Sequence, residues 1–176
     1  MSTSTDHTPT YVEKGKAFDR DMNYVPDRIT KDARTPDHGP VEGELWPVEP
    51  GRYRLVAARA CPWANRAIIV RELLGLQDVI SIGLPGPTHD ARSWTFDLDP
   101  DGKDPVLGIE RLQEAYFKRF PDYPRGITVP AMVEESTGLL VTNDFPWITH
   151  DFFHEWKDFH KADAPDLWPA DLREEM

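Results

Sequence analysis

One side chain in this sequence has the makings of a nucleophile. Cys61 is the sole cysteine, and Pro62 and Trp63 follow it at once. The surrounding stretch, RLVAARACPWANRAIIVRELLGL at residues 54–76, is apolar before the thiol and helix-like after it. The spacing therefore predicts a strand handing over to a helix at the cysteine. A helix N-terminus carries unpaired N–H groups and the positive end of the macrodipole. A thiolate placed there is stabilised, which activates it as a nucleophile. Pro62 suits the first turn, because its missing N–H would have had no helical partner. Proteins with a Cys-x-x-Cys pair resolve their own mixed disulfides, but here the second position is Ala64. Whatever Cys61 captures must be released by an external thiol, which implies a small thiol cosubstrate.

The elements needed to position this thiol can be read in outline. Residues 1–50 are polar and rich in Pro, Asp and Thr, and predict an extended arm that wraps a core or stays partly disordered. Tyr53–Ala57 reads as a strand, the stretch from Pro62 to Gly75 as a helix, and Val79–Ile82 as a second strand. Residues 83–104 read as a loop anchored by Trp94 and Phe96, and Val106–Phe120 as a helix. Thr128–Val133 and Leu139–Thr142 read as a hairpin around Ser136-Thr137-Gly138, with a last helix over residues 146–159. A βαβ unit followed by αββα is the plan of an α/β, thioredoxin-like domain. In such domains a cis-proline stands opposite the active-site cysteine, and Thr128-Val129-Pro130 falls where it is needed. The expected organisation is an arm at 1–50, a thiol-binding domain at 51–162, and a linker at 163–176.

Composition narrows the partners. Hydrophobic residues make up 39% of the 176-residue chain and charged residues 29%, as in a soluble globular protein. A net charge of −11 with no basic block argues against nucleic acid and anionic membranes as partners. No apolar run approaches the roughly 20 residues of a membrane span. The N-terminus lacks a secretory pattern, and a single cysteine fits a reducing compartment, so a cytoplasmic location is expected.

At CPWANR the sequence resembles the Xi class of the glutathione transferase superfamily, the glutathionyl-hydroquinone reductases, whose motif is CPWAHR or a close variant. RSWTF at 92–96 is similar to the family's GWxF segment. FPDYPRGITVPAMVEESTGLLVTND at 120–144 is similar to its YxGRVTVPVLWD and IVxNES segments, and LWP at 167–169 to the LYP that opens its second domain. The resemblance implies a reductase that removes glutathione from hydroquinone conjugates through an enzyme mixed disulfide. It makes Cys61 the nucleophile, with Pro62, Trp63 and Pro130 around it. It sets Trp94 against the bound thiol, has Val129 give backbone hydrogen bonds, and puts Asn143 and Asp144 at the γ-glutamyl end. Arg125 corresponds to the arginine before TVP, with a shifted register. Three departures stand out. Asn65 replaces the usual His. Phe145 replaces the Ser of NES, which removes a hydroxyl that would bond the glutamyl carboxylate and opens mycothiol as an alternative thiol. The third is length: the family's helical second domain, which carries much of a homodimer interface, has no counterpart here.

Other readings compete. A lone cysteine is commonly a small buried hydrophobe. A glutaredoxin-like deglutathionylase or dehydroascorbate-type reductase would use the same Cys61 on a different substrate. A non-catalytic binding domain, or a fragment of a longer enzyme, would also have this pattern. His150 and His154 share a helix face at i, i+4, but this is not HExxH and a solvated face is the simpler expectation. DLDPDGKD lacks the closing Glu of a calcium loop, so no metal is expected. Arg66 and Arg71 are expected on a solvated face rather than steering an anionic thiol.

Overall fold

The computed structural model describes residues 22–31, 43–87 and 93–174. Arm residues 1–21 and 32–42, loop residues 88–92 and the last two residues of the expected linker lie outside the described residues. Two short strands come first, β1 (Arg28–Thr30) and β2 (Leu45–Pro47), paired in parallel. Then follow β3 (Tyr53–Val56), α1 (Pro62–Leu74), β4 (Ser81–Gly83), α2 (Gln113–Arg119), β5 (Ala131–Glu134), β6 (Leu140–Thr142) and α3 (Phe145–His154). The last four strands form one mixed sheet in the order β4-β3-β5-β6. β3 runs parallel to β4 and antiparallel to β5, and β5 runs antiparallel to β6. The parallel pair needs a crossover, which α1 supplies. This is the thioredoxin-like arrangement, and α1 and α3 pack together as a pair.

The central strand explains itself. Tyr53, Leu55 and Val56 are fully buried, as expected of a strand covered on both faces. Arg54 in the same strand is 5% exposed. It is tolerated because its Nε donates to Asp104 Oδ2 at 2.9 Å and its Nη1 to the Ser81 hydroxyl at 3.0 Å. α1 turns Ala64, Ala67 and Leu74 inward. It ends at Gly75, whose left-handed φ of 76° lets its N–H reach the carbonyls of Arg71 and Glu72. Trp156, fully buried, meets Tyr53 edge-on at 6.2 Å.

Several sequence expectations shift. The second strand is Ser81–Gly83, because Leu76–Asp78 forms a 3₁₀ turn first. Arg71 is buried, not solvated: its guanidinium donates to the carbonyls of Ile80 (2.7 Å) and Gln77 (3.2 Å) and so secures that turn. The helix expected over Val106–Phe120 begins only at Gln113. Asp104 takes the N–H groups of Val106 (3.0 Å) and Leu107 (2.8 Å) into a turn, and Gly108 then adopts φ 69°. Strand β5 starts at Ala131, after the proline rather than before it. The last helix stops at His154, with a separate 3₁₀ turn at Lys157–Phe159.

The arm carries more structure than its composition predicts. Val25, Asp27, Arg28, Ile29 and Thr30 are all buried. Arg28 donates through Nε to Asp151 Oδ2 at 2.8 Å and through Nη2 to the other oxygen, while its guanidinium lies 4.1 Å from the Trp147 ring centre. The Lys31 N–H adds a 2.8 Å bond to Glu155. These contacts strap residues 25–31 across α3. No helix among the described residues is long and apolar enough to cross a membrane.

Candidate active site

Strand β3 delivers the thiol. After Val56 the chain passes through buried Ala57 and Ala58, and the Ala57 N–H bonds to Gly83 O at 3.0 Å. The Cys61 N–H returns to Ala58 O at 3.0 Å, a tight turn that Asn65 braces by donating to Arg59 O at 3.2 Å. Cys61 is the N-cap of α1, with extended φ −97° and ψ 119°, and its carbonyl accepts the Asn65 N–H at 2.9 Å. Pro62 occupies the first turn as expected. The half-buried thiol lies 3.6 Å from the Val129 carbonyl oxygen, to which it donates. Val129–Pro130 is a cis peptide bond. Sheet pairing of β5 begins at Ala131 opposite Val56, so the Val129 main chain stands outside the ladder, beside the sulfur.

Behind this pair lies a layer of hydrogen bonds. Tyr116 Oη donates to the Thr128 carbonyl at 2.9 Å, and Asn143 Nδ2 donates to the Thr128 hydroxyl at 2.8 Å. Asn143 Oδ1 accepts the Val25 N–H at 2.8 Å, and the Thr142 hydroxyl donates to Val25 O at 2.6 Å. Tyr116 is fully buried, and that burial pushes its pKa far above the ordinary tyrosine value. It therefore stays a neutral O–H donor at any working pH.

The front wall is aromatic. Phe145, 9% exposed, sits between Trp63 (ring centres 6.2 Å) and Tyr24 of the arm (5.9 Å, edge-on). Asp144 caps α3, accepting the Trp147 N–H at 3.4 Å. Pro146 has no N–H to offer, so the start of α3 has few free donors for a second anion.

The predicted residues thus fall into groups. Cys61, Pro62, Trp63, Val129 and Pro130 meet at one corner, and Asp144 adjoins it through Phe145. Asn143 lies behind the corner, 2% exposed, with both ends of its amide engaged within the protein. Trp94 is half-buried on the loop ahead of α2, where its carbonyl accepts the Leu112 N–H at 3.0 Å. Arg125 lines a groove of about 630 Å³ between residues 23–27 and 119–125, whose walls do not include Cys61. Tyr24, Val25 and Tyr116 were not anticipated near the site. The arm residues lie in a segment without periodicity, and Tyr116 reads as an ordinary core position.

The two histidines do not lie on a solvated face. Their rings stack at 4.2 Å against Trp168 (5.4 and 5.7 Å), in a groove of about 250 Å³ between α1 and α3 that Arg66 also lines. Among the described residues no group of three or more His, Cys, Asp or Glu side chains is placed to hold a metal. Asp104 of the acidic loop is fully buried against Arg54.

Fold and corner together define a thioredoxin-like domain with one thiol at the start of its first helix. Residues 60–150 match the family model for the glutathione S-transferase N-terminal domain. The chain belongs to the glutathione S-transferase family, in the company of its Xi-class and glutathionyl-hydroquinone reductase members. A glutathione transferase from Gordonia bronchialis is 63% identical, with a TM-score of 0.78 over 86% of this chain and 44% of its own. The glutathionyl-hydroquinone reductase YqjG of Escherichia coli is 30% identical over 90% of this chain and 48% of its own. Its glutathione-bound structure superposes with a TM-score of 0.71. The chain spans about half the length of the curated relatives it matches.

Proposed function

We propose that this domain exchanges a small thiol through Cys61, as a reductase of thiol–hydroquinone conjugates with glutathione as cosubstrate. The observation that carries the reading is the Cys61 sulfur at the start of α1, 3.6 Å from the carbonyl oxygen of Val129, whose main chain lies outside the sheet ladder. The Cys61 thiolate attacks the conjugate sulfur. An S–S bond forms and the ring C–S bond breaks. The electron pair goes to the ring carbon, which takes up a proton to give the free hydroquinone. A second glutathione thiolate then attacks the glutathione sulfur of the mixed disulfide, releasing Cys61 and glutathione disulfide. Val129 holds the thiol's peptide-like part by main-chain bonds. Pro62, Trp63 and Pro130 shape the corner, Trp94 flanks the thiol, and Asp144 meets its amino end, whereas Arg125 lies in a separate groove. The names of the relatives support the glutathione-dependent chemistry.

A second reading concerns the thiol alone. Phe145 and Asp144 leave the start of α3 poorly suited to a carboxylate, which favours a thiol with a neutral polar head, such as mycothiol. One experiment addresses both readings. Intact protein and Cys61→Ser are incubated with glutathione disulfide and, separately, mycothiol disulfide, then weighed by mass spectrometry. A rapid adduct that depends on Cys61 is expected, and the preferred disulfide identifies the thiol. Turnover of a glutathionyl-hydroquinone by the same protein separates the reductase from a deglutathionylase, which would act on mixed disulfides alone. No adduct with either disulfide would overturn the enzyme reading.

A further inference from the structure

The buried network around Thr128 has no part in bond making, yet it sets the direction of a main-chain group beside the thiol. The Thr128 carbonyl and the Val129 N–H belong to one peptide unit. That unit is planar and trans, because the single cis bond among the described residues is the next one along. In a trans unit the C=O and N–H point in opposite directions. Fixing the Thr128 oxygen therefore fixes the direction in which the Val129 N–H is presented. Tyr116 does this at 2.9 Å from the helix side, and it is fully buried and neutral. Asn143 holds the same residue by its hydroxyl at 2.8 Å, and is held in turn by the Val25 N–H.

We propose that Tyr116 and Asn143 are positioning residues of the thiol site, acting through Thr128 to aim the Val129 main chain at the cosubstrate bound on Cys61. The arm is the outermost link, since Val25 is secured at its N–H by Asn143 and at its carbonyl by Thr142. This assigns Asn143 to the scaffold rather than to the γ-glutamyl group. The inference rests on the thiol-exchange reading above, and extends it to residues that touch neither sulfur nor substrate.

The test compares the wild-type chain with Tyr116→Phe, Thr128→Val and Thr128→Ser. Adduct formation on Cys61 is followed by mass spectrometry against glutathione disulfide concentration, giving a half-saturation constant and a maximal rate. Alkylation of Cys61 by iodoacetamide, which uses no Val129 hydrogen bond, is measured in parallel. Loss of one hydrogen bond in the clamp should raise half-saturation about 2- to 10-fold in Tyr116→Phe and Thr128→Val. Maximal rate and alkylation should stay within about twofold, the scale of a contact left intact. Thr128→Ser keeps the hydroxyl and should stay near wild type. Unchanged half-saturation in both deletion variants would overturn the proposal. So would a serine variant as weak as the valine one, or alkylation that falls in step, which would indicate general loosening. A wild-type chain that alkylates but forms no adduct with glutathione disulfide or with mycothiol disulfide would remove the thiol-exchange reading itself, and this inference with it.

Discussion

Replacing Phe145 with serine should trade stability for glutathione preference. The ring is 9% exposed and bridges Trp63 and Tyr24 at 6.2 and 5.9 Å, so its removal opens a void between α1, α3 and the arm. Core Phe→Ala changes cost about 3–5 kcal/mol, and partial exposure puts this site near 3. For a chain of this size, roughly 2–4 °C of Tm is lost per kcal/mol, so a fall of about 6–12 °C is expected. Against that, the new hydroxyl sits at the first position of α3, beside Asp144, where the resemblance puts the group that bonds a glutamyl carboxylate. A charge-assisted bond of about 1.5–3 kcal/mol corresponds to roughly 10- to 150-fold in affinity. Relaxation of the vacated space should leave the gain near tenfold. The assay is the half-saturation constant for adduct formation with glutathione disulfide, divided by that for cystamine, a disulfide without carboxylates. The ratio cancels any general loosening. A ratio that does not move toward glutathione would refute the role assigned to this position. An unchanged Tm would refute the bridging role of the ring.

Three further outcomes follow from buried charge and burial. Arg28→Ala leaves Asp151 buried without its bidentate partner and should cost about 3–5 kcal/mol in urea unfolding, whereas Arg28→Met with Asp151→Leu should recover most of it. Gly83→Ala puts a methyl 2.6 Å from Asp104 Oδ2 and 3.0 Å from Arg54 Nε. It must displace that ion pair, at a cost of about 3 kcal/mol read by the same method. Burial pushes the Tyr53 hydroxyl up to about 12, and Tyr116 is also raised. The unfolded chain therefore loses these protons first. The stabilisation is whole below the unfolded value near pH 10 and fades as pH rises toward the folded value. Unfolding free energy should fall by about 1 kcal/mol per pH unit per tyrosine above pH 10, and Tyr53→Phe should reduce that slope.

The corner around Cys61 was legible because its signals are local. Cys61, Pro62 and Gly75 mark the two ends of one helix within fifteen residues of chain, and the proline of Val129-Pro130 needs no distant partner to be noticed. The helix expected from Val106 failed for a local reason too, since the Asp104 side chain outcompetes the helix for two N–H groups. What could not be read is the scaffold. Arg28, Arg54, Arg71 and Asn143 belong to types that composition assigns to water, yet each is at most 5% exposed. Each is satisfied by groups that periodicity does not point to: Arg28 by Asp151, Arg54 by Asp104, Arg71 by main-chain carbonyls and Glu72, and Asn143 by Val25 and Thr128. A polar residue looks solvated until its partner is known, and for Arg28 that partner is 123 positions away. Two of these links run from the arm, Val25 to Asn143 just after β6 and Arg28 to Asp151 on α3. The bonds from Val25 through Asn143 to Thr128, the residue next to the Val129 beside Cys61, therefore cross the point near residue 50 at which composition changes, and join residues that the sequence pattern sets apart.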